Sequence, residues 1–380
     1  MLARSLLHLV TAVTAAAVLT ACAGAPSVTS RASGSPAGPD RQLVAASAQG
    51  VVVVDHDSES FQGVRRSGSV AWLDRAAYRA GAWPVCQARC PDAIFSGGEP
   101  AGRDPEPWRP TATGPRPLPV SRSEVRRVLT AQSPDDAVIA EGARGHGRIR
   151  IVRPGRDQSI PLPGDPAGVV WSEDPARTLA LVLVSQQEAR WFQRDPGSAT
   201  GPGRGGGSGR AGGDGGTVAG WRAVPGSLAT GGAWAACTAG PGGLTVLVAA
   251  EPTLVIGRTR RLPVRTDLEM AGECAAGRTG AVMIGRWKDL QTGAPHTALR
   301  GVDATGAQTW SRDLPAEAHV SADPTGDRFV ITHQGRAEVV DGRGHTLAGH
   351  PDVVSAAYTG QGELVLLGAT GRPRYLPAVR

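Results

Sequence analysis

Lysine is almost absent from this chain: Lys and Arg together number 40, and Lys288 is the only lysine. Aromatic residues are also scarce, at 4% of 380 residues. The arginines form no long basic run interleaved with aromatic residues, which is the pattern a nucleic-acid groove needs. The bias toward Arg, Ala, Gly and Pro is typical of a high-GC, actinobacterial-like genome. We therefore expect no nucleic-acid partner, despite a pI of about 9.5.

Recognisable catalytic motifs are missing as well. The sequence contains no Gly-x-Ser-x-Gly, no His-Glu-x-x-His and no phosphate-binding loop. We therefore predict no catalytic residue and no cofactor. A hydrophobic content of 41% over this length is enough for a buried core, which excludes disorder of the whole chain.

A single long apolar run stands at the start of the chain. It extends from Ser5 to Val18, follows the basic residue Arg4 and leads into Leu19-Thr20-Ala21-Cys22. The run is too short for a spanning helix and ends in small residues, which is typical of a bacterial lipoprotein signal. We predict a signal peptide over residues 1–21 and lipidation at Cys22. The mature chain is then extracytoplasmic and anchored to the cell membrane.

The segment after the signal, residues 22–41, is rich in Ser, Gly, Pro and Ala and has little to bury. Such a composition predicts a flexible tether between the lipid and the folded body.

Four cysteines remain when Cys22 is assigned to lipid, an even number that suits an oxidising compartment. We favour Cys86 with Cys90, because the pair is local. We also favour Cys237 with Cys274, because two neighbouring repeats carry them at matching positions. The Cys-x-x-x-Cys-Pro string at Cys86 also matches copper chaperones of the thioredoxin fold, but the surrounding strand pattern favours a structural disulfide.

Short runs rich in Val, Leu and Ile begin at residue 42 and are separated by Gly, Asp and Pro, which predicts an all-β protein. A frame recurs along the chain: a small residue ends one strand, and about eight residues later a hydrophobic strand begins. We count seven copies, spaced by roughly forty residues apart from one longer interval, which is the length of a propeller blade. The copies start at Cys86, Thr130, Ser172, Cys237, Cys274, Ser321 and Ser355.

The architecture predicted for residues 42–380 is therefore a β-propeller of four-stranded blades, with seven blades favoured and eight the alternative. A Gly-rich stretch at about 195–220 accounts for the long interval as a disordered insertion. Leu43–Asp55 resembles Phe329–Asp341, so we expect the chain to open in the middle of a blade. The N- and C-terminal strands would then close the ring within one shared blade.

One repeat resembles a known family. Gly301-Val-Asp303-Ala-Thr305-Gly306-Ala-Gln-Thr-Trp310 is similar to the repeat of quinoprotein-type (PQQ-repeat) propellers, and Val339-Val-Asp341-Gly-Arg-Gly344 is a weaker echo without the Trp. The resemblance implies a hairpin whose Asp and Gly shape the turn and whose Trp packs between blades. It does not imply quinone binding, because the ring of aromatic, acidic and calcium-ligating residues cannot be located here.

Weak candidates for a metal site are Asp55, His56 and Asp57, which offer alternating ligand atoms together with Glu59. The string lacks the turn glycine and the closing Glu of a calcium loop, so a solvated turn is the favoured interpretation. A second group, made up of Glu317, His319 and Asp323, could meet near a channel mouth.

These observations favour a lipid-anchored β-propeller that acts as a binding or scaffold module for a protein or a cell-envelope glycan. The alternative is a propeller enzyme, either a quinone- or metal-dependent oxidoreductase or a carbohydrate-active hydrolase or lyase. A third interpretation is an inert envelope spacer, which predicts neither ligand nor metal.

Overall fold

The computed structural model describes residues 41–85 and 271–377. Between them it describes the strands given below, together with residues 233, 239, 249–252 and 264–268. Within this part the chain is almost entirely β-structure, and its strands form eight antiparallel sheets that follow one another in chain order.

The first four sheets are formed as follows. The first contains β1 (Arg41–Ser47), β2 (Gly50–Asp55), β3 (Ser60–Arg65) and β4 (Val70–Asp74), and the short helix α1 (Arg75–Arg79) follows it. The second contains β5 (Trp83–Val85), β6 (Ile94–Ser96), β7 (Trp108–Thr111) and β8 (Gly114–Pro117). The third contains β9 (Val125–Ser133), β10 (Asp136–Ala143), β11 (His146–Arg153) and β12 (Arg156–Pro161). The fourth contains β13 (Gly168–Trp171), β14 (Leu179–Leu183), β15 (Glu188–Arg194), β16 (Trp221–Ala223) and β17 (Leu228–Ala229).

The other four sheets include most of the described side chains. The fifth contains β18 (Ala235–Thr238), β19 (Leu244–Val248), β20 (Thr253–Ile256) and β21 (Arg260–Pro263). The sixth contains β22 (Glu273–Ala276), β23 (Gly280–Lys288), β24 (Pro295–Asp303) and β25 (Gln308–Leu314). The seventh contains β26 (Ala318–Ala322), β27 (Arg328–His333), β28 (Arg336–Asp341) and β29 (Thr346–Pro351). The eighth contains β30 (Val353–Tyr358), β31 (Leu364–Gly368) and β32 (Pro373–Leu376).

The first strand of each sheet is the inner one. From β13 through β18, β22, β26, β30, β1 and β5 to β9, the first strands of successive sheets contact each other. Sheets whose first strands meet around an axis, with later strands further out, form a β-propeller. The prediction of an all-β propeller is confirmed. In the described part of the chain, no helix is long and apolar enough to cross a membrane.

The described part of the chain contains eight sheets, and the number of blades stays a prediction, with seven favoured and eight the alternative. The seven repeats seen in the sequence are the first hairpins of sheets two to eight, as in the pairing of Thr130 with Val138. The missing copy is the N-terminal one. Residues 43–55 form strands one and two of a sheet, whereas residues 329–341 form strands two and three, so the two segments are not equivalent.

The shared blade predicted from both chain ends is wrong for the same reason. Strands β1 to β4 pair with one another, which leaves no position in that sheet for a C-terminal strand. The two ends of the chain nevertheless meet, because the first sheet packs face to face on the eighth. Their common core buries Leu43, Val51 and Val53 against Val365 and Leu367. This packing removes apolar surface from water without any strand exchange.

Hydrogen bonds and an ion pair support the same junction. The backbone N–H of Leu43 donates to Ser355 Oγ at 3.0 Å in a buried position. Arg66 binds both carboxylate oxygens of Glu363 at 2.9 and 3.0 Å and lies over the ring of Tyr375 at 4.2 Å. The first and last sheets are therefore joined at the inner strands and further out.

In four of the repeats, the small residue that marks the repeat also links neighbouring inner strands. Ser355 of β30 accepts from β1, as described above, and Ser321 of β26 accepts from the backbone N–H of Tyr358 in β30 at 3.0 Å. Cys237 of β18 and Cys274 of β22 form a disulfide with 5.8 Å between their Cα atoms. A small side chain at this position lets adjacent inner strands approach closely enough for a direct cross-link.

Candidate binding site at the mouth face

Five polar side chains converge at the end of the ring where the inner strands begin. We term this end the mouth face. Gln42 is the second residue of β1, Glu273 begins β22 and His319 is the second residue of β26. Glu317 precedes β26, and Arg286 lies where β23 runs past the start of β22. These five residues, termed the mouth cluster, come from sheets one, six and seven.

His319 is at the centre of the mouth cluster. Gln42 Nε2 lies 3.3 Å from Nδ1 and 3.4 Å from Nε2 of the imidazole. Glu317 Oε1 lies 3.9 Å from His319 Nε2. About a third of the His319 side chain, 31%, remains exposed. The imidazole of His319 is therefore held by Gln42 and Glu317 but is still open to a ligand.

Arg286 fixes the other side of the cluster. Its Nη1 pairs with Glu273, and its Nη2 donates to the backbone carbonyl of Ala318 at 2.8 Å. Its Nε is buried without a hydrogen-bond partner among the described residues. Because that N–H is buried, its missing hydrogen bond is a local cost of the arrangement and not a donor open to a bound group.

Burial and the nearby Arg286 guanidinium lower the pKa of His319 to about 4, although Glu273 opposes the shift. The imidazole is therefore neutral at physiological pH and can both donate and accept a hydrogen bond. Since Glu273 compensates Arg286, the carboxylate of Glu317 leaves the site with one negative charge beside its neutral hydrogen-bonding groups.

The polar surface continues outward across the seventh sheet. His333 pairs across the strands with Ala318, and its Nε2 lies 3.4 Å from Glu338 Oε1. Glu338 also forms two ion pairs. Its Oε1 lies 3.1 Å from Arg336 Nη2, and its Oε2 lies 2.8 Å from Nη1 of Arg312 in the sixth sheet. Although burial opposes it, the two guanidinium groups lower the pKa of Glu338. The mouth cluster thus adjoins a partly buried charged network on sheets six and seven.

The predicted blade-motif residues form a turn and an inter-sheet contact. The Asp303 carboxylate accepts from the backbone and the hydroxyl of Thr305 at 2.8 and 2.6 Å, and Gly306 adopts a φ of 81°. Trp310 packs in the core between sheets six and seven, and its indole lies against Gly301 and Gly344. These residues are placed to build the fold.

A second copy of this motif was missed in the sequence. Gly63, Gly68 and Trp72 have the same spacing as Gly301, Gly306 and Trp310, and Trp72 covers Gly63 as Trp310 covers Gly301. Gly68 also has a positive φ, of 86°. The signal was the Gly-x4-Gly-x3-Trp spacing, which was hidden because the first copy lacks the Asp and the Thr-Gly turn.

The weak metal candidates Asp55, His56 and Asp57 do not converge. The buried Asp55 carboxylate accepts from Arg41 Nε at 2.9 Å and from Ser58 N at 3.0 Å, which fix the turn. His56 Nδ1 lies 2.9 Å from the Tyr78 hydroxyl. Within the described part of the chain, no three His, Cys, Asp or Glu side chains are grouped to hold a metal ion.

The remaining candidates divide into two groups. Asp323 does not join His319; it is fully buried, pairs with Arg328 at 2.7 Å and accepts from Thr325 in a turn at the other end of β26. Cys22, Cys86 and Cys90 lie outside the described residues, as does the insertion at 195–220.

No family model matches this chain, and no curated protein matches it. Among solved structures, the chain is similar to Chaetomium thermophilum Sqt1 bound to the N-terminus of the ribosomal protein L10, at 13% identity and a TM-score of 0.45, covering 88% of this chain and 91% of that one. It is similar to the Neurospora crassa Pan2 WD40 domain at 12% identity and a TM-score of 0.40, covering 75% of this chain and 84% of that one. It is also similar to the Cps50 (Swd1) beta-propeller domain of Myceliophteria thermophila, at 11% identity and a TM-score of 0.34, covering 68% of this chain and 87% of that one. At these TM-scores the likenesses carry no argument about function, and the fold assignment depends on the sheets themselves.

Proposed function

We propose that this chain is an extracytoplasmic, lipid-anchored binding module that holds a protein partner at the mouth cluster. The observation that carries the proposal is the convergence of Gln42, Arg286 and His319 from three sheets into one partly open polar site. A rigid ring keeps these groups in fixed relative positions, so no ordering cost falls on the site when a partner binds.

A protein suits the mouth cluster better than a glycan. The cluster contains two carboxylates, a guanidinium, an imidazole and an amide, and none of its side chains offers an indole or phenol ring for a sugar to stack on. The outward network of Arg312, Arg336 and Glu338 extends the surface with alternating charge. Peptide groups and charged side chains of a partner can pair with such a surface across its width.

Co-isolation from membranes of the native host tests this proposal. The parent chain is compared with a Gln42→Ala/His319→Ala variant by quantitative mass spectrometry of the proteins that accompany it. Arg343→Gln is a matched control, because Arg343 is exposed in the turn between β28 and β29, at the opposite end of the ring and away from the junction of the first and eighth sheets. We expect a partner that is lost with the mouth variant and retained with the control. Equal recovery with all three chains would contradict the proposal.

The lipid anchor is tested separately. The Cys22→Ala variant should keep residues 1–21, because the signal peptide is no longer removed. It should also carry no lipid. Unchanged processing and unchanged membrane retention would refute the anchor without affecting the binding proposal.

Native mass and elemental analysis of the purified chain separate binding from catalysis. Stoichiometric metal, or a bound small molecule of defined mass, would favour the enzyme alternative. A neutral imidazole with a pKa near 4 is a weak general base at neutral pH, which supports binding rather than proton transfer at this site.

A further inference from the structure

The hairpin formed by β23 and β24 projects beyond the rest of the sixth sheet. β22 pairs with β23 only over Ala281–Ile284, and β25 pairs with β24 only over Thr297–Val302. Within residues 286–296, termed the projecting hairpin, β23 and β24 therefore pair with no third strand, and this part extends from the mouth face.

Two large apolar side chains are exposed on the projecting hairpin. Leu290 at its tip is fully exposed, and the Trp287 side chain is 49% exposed. The Trp287 indole is stacked on the imidazole of His296, its cross-strand partner, with the rings 5.5 Å apart and 8° from parallel. The stack holds the indole in one orientation. Lys288, the only lysine in the chain, lies between the two apolar residues.

The turn that carries Leu290 is fixed by hydrogen bonds. The Asp289 carboxylate accepts from the backbone N–H groups of Gln291 and Thr292 at 3.0 and 2.7 Å, and from the Thr292 hydroxyl at 2.8 Å. The Gly293 N–H donates to the Asp289 carbonyl at 2.8 Å. Leu290 is thus held outward by a defined turn, with no apolar neighbour in the described part of the chain to cover it.

The N-terminal segment enters the ring at the same face. Arg41 begins β1, its neighbour Gln42 contacts His319, and Arg286, the first residue of the projecting hairpin, binds the carbonyl of Ala318. The segment from Cys22 to Asp40 would reach roughly 25 Å as a flexible coil and roughly 60 Å when extended. A lipid at Cys22 would therefore keep the mouth face, with its projecting hairpin, close to the bilayer.

We propose that the projecting hairpin is a membrane-docking element whose Trp287 and Leu290 insert into the interface of the bilayer that holds the lipid anchor. The inference rests on the proposed anchoring at Cys22. Trp side chains favour the membrane interface, Leu enters the acyl boundary and Lys288 can meet lipid phosphates. Docking would orient the ring by a second contact in addition to the tether.

Quenching of Trp fluorescence in vesicles tests the proposal. The mature chain is reconstituted into phosphatidylcholine vesicles with bromine-labelled acyl chains. Because the chain contains nine Trp, the contribution of Trp287 is measured as the quenching that is lost in the Trp287→Phe variant. We expect Leu290→Ser to weaken insertion about tenfold, as removal of one buried leucine should. Leu347→Ser is the matched control, since Leu347 is 56% exposed at the other end of the ring.

Equal quenching of the parent and Trp287→Phe chains would overturn the proposal. Loss of a co-isolated protein on Leu290→Ser, with no difference in quenching, would also overturn it and assign the hairpin to a protein partner. Failure of the Cys22→Ala test remains distinguishable, because the quenching signal is defined by Trp287 and can be measured on an unlipidated secreted chain.

Discussion

Gln42 and His319 are separated by 277 positions, yet Gln42 Nε2 lies within 3.4 Å of both ring nitrogens of His319. One residue belongs to the first sheet and the other to the seventh, so the eighth sheet lies between their sheets in the ring. The contact exists only because the two ends of the chain pack together. Ring closure and the candidate site are therefore linked. A change that weakens the junction of the first and eighth sheets should also weaken the mouth cluster.

His319 makes the stability of the fold depend on pH. Burial and Arg286 lower its pKa from 6.5 to about 4, so between these values the unfolded chain binds more protons than the folded one. Stability should then decrease as pH falls from about 6.5 toward 4. Urea unfolding over this range should show a shallower decrease for His319→Gln than for the parent. An identical pH dependence would contradict the assigned shift.

Gly301 should not tolerate a side chain. A Cβ at this position would overlap the indole of Trp310, whereas a Cβ at Gly349 meets nothing within 4 Å. We expect Gly301→Ala to lower the free energy of unfolding by about 1–3 kcal/mol through overpacking. Gly349→Ala should change it by less than about 0.5 kcal/mol. Chemical denaturation of both variants checks the prediction, and equal stabilities would show that Trp310 moves freely.

Ser355 should be needed for closure of the ring. Ser355→Ala leaves the buried N–H of Leu43 without its acceptor, which should cost about 1–3 kcal/mol. Ser67→Ala, which removes an exposed hydroxyl contact with Ser69, is the control and should cost less than about 0.5 kcal/mol. Hydrogen exchange should also accelerate in β1 and β30 of the Ser355 variant. Unchanged exchange there would argue against a closure that depends on this bond.

The disulfide should stabilise the junction of sheets five and six. Cys237 and Cys274 close a loop of 37 residues, for which chain entropy predicts about 4 kcal/mol. Cys237→Ser/Cys274→Ser should lower Tm, and a reductant should lower the Tm of the parent more than that of this variant. Peptide mapping without reduction should recover the two cysteines in one linked peptide. Recovery of both as free thiols would contradict the pairing.

Much of the fold was accessible from the sequence because each repeat encodes a local hairpin. The small residue, the turn and the following apolar run act within a few residues, so Ser321 and Phe329 signal the seventh sheet without long-range information. The first sheet was misread because residues 43–55 and 329–341 are both hairpins with short turns. Alternation alone does not distinguish strands one and two from strands two and three of a sheet.

The candidate site was harder to predict. Glu317 and His319 were paired by their nearness in the chain, but Gln42 and Arg286 reach them only through the closure of the ring and through the overhang of β23. Asp323 was wrongly grouped with them, because the length of β26 places it at the other end of the strand, where it fixes a turn. Contacts between sheets depend on topology and leave no periodic signal in a single sequence.

Site-specific photo-crosslinking from the mouth cluster tests whether the mouth face binds a protein. A benzophenone amino acid is placed at Glu317 in the full chain and, as a control, at Leu347 on the opposite end of the ring, and both chains are irradiated in intact cells of the native host. We expect a discrete protein adduct from position 317 that is absent from position 347 and is lost when Gln42→Ala/His319→Ala is added. An adduct of equal intensity from both positions, or none from position 317, would contradict a binding function for the mouth face.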